Sequence, residues 1–162
     1  TYRPVIGGFR YGGVIFYIDA TGQHGLVCAV TDQSTGAPWG CKLVNLEGVD
    51  GIAIGTGAQN TTEILAGCTT EGIAAYICDT LTLGGFNDWF LPSEDELFEI
   101  YQNKSTINAT ALVYSGTEFS NENYWTSTEA GGLLAQTISF EDGTIIEYIK
   151  DILLNVRAVR EF

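Results

Sequence analysis

Residues 90–97, Phe-Leu-Pro-Ser-Glu-Asp-Glu-Leu, oblige the chain to change its local structure at one defined point. Pro92 has no amide hydrogen to donate and stops the extended segment before it. Ser93 is a favoured helix N-cap, and Glu96 stands three residues later, where a glutamate can return to the N-cap amide. Leu97, Ile100, Tyr101 and Lys104 then fall on one side, with Phe98 near its edge. A helix is therefore predicted from this cap to roughly Lys104.

The segments on either side are β-patterned. "GGVIFYIDATGQHGLVCAV" (12–30) reads as two strand runs joined by a Gly-containing turn, with Asp19 and His24 in or beside it. The pattern is lost between about 31 and 60, in a Gly-rich polar stretch too long for an ordinary connection, which marks it as functional or pinned. A second helical stretch is expected to open at Thr61 or Thr62, continue through "TTEGIAAYICDTL" (69–81) and end at Gly84-Gly85. Beyond the capped helix, "NYWTSTE", "LAQTISF" and "TIIEYIK" read as strands, the last two joined by a Glu-Asp-Gly turn, and "NVRAVREF" as a short final strand. Strands, two helices and strands again make one α+β domain over 1–162, with antiparallel strands and long irregular loops.

Charge narrows the partners. The formal net charge is −13, with four acids and three bases in residues 1–60 but sixteen acids and four bases beyond. Such a surface repels nucleic acid, anionic lipid and sulfated polysaccharide unless a cation bridges them. No apolar run is long enough to span a membrane. The chain opens on Thr1, and the expectation is a mature or trimmed product whose targeting segment is gone. Four cysteines without a C-x-x-C spacing, beside the one histidine, do not make a zinc site. Cys41 and Cys68 bracket the irregular stretch in polar, Gly-rich contexts and are the first choice for a disulfide. Cys28 and Cys78 lie in apolar runs and read as buried thiols, with a second bridge between them left open.

Three places have residues suited to chemistry. Glu94, Asp95 and Glu96 form an acidic run, but neighbours on a helix point in different directions, so a helix start accounts for them better than calcium does. Asp88, in the turn "GGFND", is a candidate calcium ligand; the alternative is an Asx-type turn with Trp89 in the core. "NENYWTSTE" combines amides, hydroxyls and an aromatic face, the groups that sugar recognition uses. Its candidate ligand contacts are Asn121, Glu122, Asn123, Trp125 and Glu129, against a reading in which Trp125 is simply a buried strand residue. His24 has no evident nucleophile partner, and Ser93 sits at a helix cap rather than in a Gly-x-Ser-x-Gly elbow, so no catalytic residue is assigned. A pair of carboxylates for glycoside hydrolysis stays open among so many acids.

The blocks "GGVIFYIDATGQHGLV", "TDQSTG", "IGTGAQNT", "GGFNDWFLPSEDEL", "YWTSTE" and "VRAVREF" together resemble an exported bacterial family typified by the C-terminal domain of the Legionella collagen-like adhesin. The matches run in order from about residue 12 to 162. The resemblance implies a C-type lectin-like fold in which N- and C-terminal strands pair and an irregular region carries the binding surface. It also implies a surface-displayed recognition module, often trimeric, and favours a structural Trp125. A distant likeness to formylglycine-generating enzymes would need a reactive cysteine pair late in the chain, whereas the last cysteine is Cys78. Sulfated glycosaminoglycan, the ligand associated with the Legionella domain, is disfavoured here by the charge.

These readings combine into an extracellular or bacterial cell-surface adhesin head that binds glycan or a surface receptor without catalysis and with calcium as its one candidate cofactor. The binding surface is expected from 31–60 and from about 119–129. The second expectation is a self-assembling subunit of an extracellular filament or lattice, held by calcium bridges or strand addition.

Overall fold

The computed structural model describes residues 1–162. The N-terminal hairpin predicted from the sequence is present as Gly13–Ile18 (β2) and Gly25–Cys28 (β3), preceded by the two-residue strand Phe9–Arg10 (β1). Ser34–Ala37 (β4) leads into an irregular segment that ends at the helix Gly57–Gly67 (α1). Next come Ala74–Asp79 (α2), Glu94–Gln102 (α3) and Lys104–Val113 (α4). The chain closes with Asn123–Ala130 (β5), Leu134–Ser139 (β6), Ile145–Ile149 (β7), Leu154–Val156 (β8) and Val159–Glu161 (β9).

Two sheets form, ordered β1-β2-β3-β9 and β4-β8-β5-β6-β7. The last residues therefore do not make one strand, as their apolar pattern suggested. β8 lies between β4 and β5, and β9 pairs antiparallel with β3 in the other sheet. The contact between β5 and β8, at Tyr124 and Asn155, is parallel. The Glu-Asp-Gly turn between β6 and β7 holds Gly143 at φ 79°, and a Cβ there would strike the Tyr101 ring.

The capping box at Ser93 is fully formed. Its hydroxyl accepts from the Glu96 amide at 3.4 Å, and the Glu96 carboxylate accepts from the Ser93 amide at 2.8 Å. That carboxylate also accepts from the Gly55 amide at 2.9 Å, just ahead of α1. Two helix N-termini thus share one buried acid, where their partial positive charges favour it. Burial nonetheless pushes the Glu96 pKa up, against the lowering effect of those backbone donors. The approach is close enough that a Cβ on Gly57 would collide with the Glu96 carboxylate and the Ser93 amide.

Four helices stand where two were expected, and the physical reasons differ. α1 begins at Gly57 rather than at Thr61 or Thr62, because packing against Glu96 starts it without a side-chain cap. The helical stretch then breaks between Gly67 and Ala74 instead of running on to Leu81. α4 carries little amphipathic signal, since only Ile107 and Ala111 are buried along it.

Trp39, Trp89 and Trp125 are all buried in one apolar cluster with Ile64 and Ile73. A second cluster gathers Phe16, Phe90, Phe119, Tyr124 and Phe140 beneath α3 and α4. Cys41 and Cys68 are disulfide-bonded, with Cα atoms 5.8 Å apart, and tie the irregular segment to the end of α1. Cys28 and Cys78 are free and buried, in different clusters. Replacing Cys41 and Cys68 together by alanine should lower stability by about 2–4 kcal/mol, measured by urea unfolding, because the unfolded chain regains a long open loop.

Candidate functional site

The strand β5 is central in its sheet, and its polar residues face inward rather than outward. Thr126 donates to the Gln136 carbonyl at 2.9 Å, Thr128 donates to the Gly51 carbonyl at 2.8 Å, and Ser127 accepts from Asn60 at 3.1 Å. The Ser127 and Glu129 amides donate to the Pro92 and Val49 carbonyls. "WTSTE" therefore ties the irregular segment and the start of α3 to the sheet.

Just before that strand the surface opens into a cleft of about 370 Å³, lined by Thr35, Ser120, Glu122, Asn123, Leu154 and Asn155, with Leu153 at its edge. Three chain segments build it: β4, the turn leading into β5, and the start of β8. The single parallel contact between Tyr124 and Asn155 brings the second and third together.

A charged network lies directly behind the cleft. Arg157 is fully buried and donates to Asp32 at 2.8 Å, its guanidinium stacked 3.8 Å from the Phe119 ring centre. The other Asp32 oxygen accepts from the Tyr124 hydroxyl at 2.9 Å. Tyr124 in turn accepts from the Ser120 amide at 3.1 Å and lies 3.4 Å from the Ser120 hydroxyl. Asn155 donates to that hydroxyl at 2.9 Å. Burial, and then the adjacent Asp32 carboxylate, push the Tyr124 pKa to about 12, so the phenol keeps its proton and donates to Asp32.

The profile of one family, the Lcl C-terminal domain, matches residues 28–160. The chain belongs to the Lcl C-terminal domain family. No curated protein matches the sequence. Among solved structures, a fimbrial protein from Bacteroides ovatus superposes with a TM-score of 0.65 at 14% identity, over 83% of this chain and 35% of that one. The likeness is one of fold, and this Lcl C-terminal domain spans about a third of the fimbrial protein's length.

Within this Lcl C-terminal domain the candidates named from the sequence separate. Glu122 and Asn123 line the cleft, and Asn123 anchors its amide on the Thr137 hydroxyl at 3.1 Å. Asn121 is exposed beside it and accepts from Lys104 at 3.5 Å. Trp125 is fully buried, its indole donating to the Ala37 carbonyl at 2.8 Å. Glu129 is also interior, 2.5 Å from the Lys150 ammonium and accepting from the Leu46 amide. Thr35, Ser120 and Asn155 were not individually singled out by the sequence. Thr35 and Ser120 fall inside the two expected regions, while Asn155 reaches the site through a strand pairing that no local pattern reports.

Asp88 sits in its turn with both carboxylate oxygens on the Arg160 guanidinium, at 2.6 and 2.9 Å. No group of three or more His, Cys, Asp or Glu side chains converges as a cation site. The hydrogen bonds from Arg160 hold the Asp88 carboxyl below its ordinary value. Its contribution to stability is therefore present above the unfolded pKa and lost as pH falls through the lower folded pKa. Asp88→Asn should move the acid unfolding midpoint to higher pH, followed by tryptophan fluorescence.

A second cleft, of about 270 Å³, lies by the β2–β3 turn between Tyr17, Asp19, His24, Ile54 and Glu161. Its polar groups serve the turn: Asp19 accepts from the Thr21 hydroxyl and amide, and His24 Nδ1 lies 3.2 Å from the Phe162 carbonyl.

Proposed function

We propose that this domain is a non-catalytic recognition module of C-type lectin-like kind, displayed outside the cell as an adhesin head and binding glycan in the cleft between β4, β5 and β8. One observation carries the reading: hydroxyl, amide and carboxylate groups converge there beside Leu153 and Leu154 and are braced from behind by a buried ion pair. Sugars need that combination, hydroxyl edges meeting polar groups while C–H faces meet apolar ones. Bracing keeps those polar groups in place before a ligand arrives, which lowers the ordering cost of binding. Family membership supports a surface role, and the pairing of β3 with β9 supports the lectin-like description.

The non-catalytic reading is supported by the state of the nucleophile candidates. The Cys28 thiol is pushed by burial to about 12, Cys78 is raised further, and both are enclosed in the core. The Ser93 hydroxyl donates to the Ala53 carbonyl and works as a cap. A glycan array probed with the purified domain tests the proposal, with Asn123→Leu as the control. Loss of array signal in that variant is the expected result, and an array without any signal overturns the reading.

The second reading, a filament or lattice subunit, has its own observation. β7 is an outer strand whose Ile145 and Ile149 are exposed and which contains no proline. An edge of that kind accepts another strand unless something blunts it. Light scattering and electron microscopy of concentrated protein decide this reading: regular polymers support it, and a monodisperse monomer rejects it.

A further inference from the structure

The cleft is asymmetric in its charge and in the direction of its internal hydrogen bonds, and that asymmetry selects a ligand. Tyr124 directs its proton to Asp32, so the close Ser120 hydroxyl donates to Tyr124 rather than receiving from it. Ser120 in turn accepts a hydrogen bond from the Asn155 amide nitrogen. The order of donation is Asn155 to Ser120 to Tyr124 to Asp32, with Arg157 fixing its inner end. Each hydrogen bond along this chain is donated inward.

What remains for a ligand includes two uncommitted amide oxygens and one carboxylate. Asn155 is only 5% exposed, and its amide nitrogen is committed to Ser120, so the amide cannot turn round. Its oxygen has no protein partner, and no fully buried side-chain polar atom in the structure lacks one. That oxygen therefore faces the cleft that Asn155 lines. Asn123 repeats the arrangement, with its nitrogen on Thr137 and its oxygen free. Glu122 adds an exposed carboxylate, the only charged side chain in the lining, within a chain of net charge −13. Thr35 keeps its hydroxyl proton, and Asn123 and Asn155 each keep a second amide N–H, but no lining side chain carries a positive charge.

Resting on the glycan reading of this cleft, we propose that its ligand class is an amino sugar carrying a free, protonated amine. An ammonium supplies three donors and the charge that Glu122 attracts, and the flanking hydroxyls supply donors for the oxygens of Asn123 and Asn155. The pyranose C–H face lies on Leu153 and Leu154. An N-acetylated sugar loses the charge and two donors at that position, which leaves the Glu122 carboxylate without its counter-charge. A lysine side chain brings the charge but no hydroxyls, which leaves both asparagine oxygens unmatched.

The test uses three β-1,4-linked trisaccharides that differ only at carbon 2: glucosamine, N-acetylglucosamine and glucose. Each is titrated into isotope-labelled domain at physiological salt, with and without a chelator, below the pKa of the amine. The glucosamine trisaccharide should bind at least about tenfold more tightly than the other two, the scale of one charge-assisted contact. The side-chain amide signals of Asn123 and Asn155 should shift with it. Glu122→Gln, an exposed change that leaves the fold alone, should abolish the preference; Glu71→Gln, at an exposed acid between α1 and α2 outside the cleft lining, should not.

Equal binding of all three sugars, unchanged in Glu122→Gln, overturns the amine assignment while the glycan cleft stands. So does equal binding of a lysine tripeptide, loss of binding on chelation, or shifts spread over the acidic surface that survive Glu122→Gln. No shift at Asn123 or Asn155 with any sugar, together with a silent array, removes the cleft reading and this inference with it.

Discussion

Replacing Asp32 by alanine should destabilise the domain by about 3–5 kcal/mol, the range for stranding one member of a buried ion pair. Arg157 would be left fully buried against Phe119, with only the Ala29 and Thr117 carbonyls, 3.4 and 3.3 Å away, to receive its protons. For a chain of this length that loss lowers the melting temperature by roughly 10 °C in calorimetry. The effect on the cleft is separable from the effect on stability. Without Asp32 the Tyr124 hydroxyl loses its acceptor, so Ser120 and Asn155 lose their enforced direction. A double variant, Asp32→Leu with Arg157→Met, should recover most of the stability, because two apolar side chains remove both charges together. It should not recover ligand binding. A melting temperature for Asp32→Ala within a degree or two of the parent would show that the pair is dispensable.

The second large effect is expected at Glu129. Glu129→Ala leaves the Lys150 ammonium buried, facing the Val44 carbonyl and the Trp39 ring with no counter-charge. About 3–5 kcal/mol is again the expected loss in chemical denaturation. The Leu46 amide, which donates to both Glu129 oxygens, would exchange its hydrogen faster as the 42–46 loop is released. Glu122→Gln, seven residues earlier and exposed, should change stability by less than about 0.5 kcal/mol. Two glutamates of one sequence block thus have opposite expected phenotypes. If Glu129→Ala were as stable as Glu122→Gln, the interior role of Glu129 would be wrong.

That contrast shows what the sequence made legible and what it did not. The helix start at Ser93, the N-terminal hairpin, the β6–β7 turn and the Cys41–Cys68 bridge could all be read from neighbouring residue types. Each rests on chemistry within a few residues, or on cysteines whose surroundings differ in polarity. α4 was missed because its buried face amounts to two residues, and α1 was placed late because its start is set by Glu96, some forty residues away. The polar residues of "NENYWTSTE" suggested groups exposed for a ligand, but irregular backbone at Val49, Gly51 and Pro92 covers β5. Its hydroxyls are interior for that reason, and Glu129 is hidden with them.

The cleft was half legible. Glu122 and Asn123 stand out as polar groups just ahead of a strand, where ligand contacts concentrate. Asn155 sits in the run "LLNV", which looks like plain strand, and only the parallel contact with Tyr124 gives it a surface to line. The direction of donation through Ser120 and Tyr124 depends on Asp32 and Arg157, which are 125 positions apart. No local pattern contains that pairing.

The division of residues 154–161 between two sheets has a kinetic consequence. β8 fills the gap between β4 and β5, and β9 covers the open side of β3, so neither sheet can close until this one short segment is in place. During synthesis everything upstream must wait with three unsatisfied strand flanks, because the pairings that complete the fold join its most distant parts. Folding should accordingly be slow to begin and abrupt once begun. A nascent chain stalled before Leu154 should remain protease-sensitive throughout, and release of the next eight residues should protect the whole domain at once.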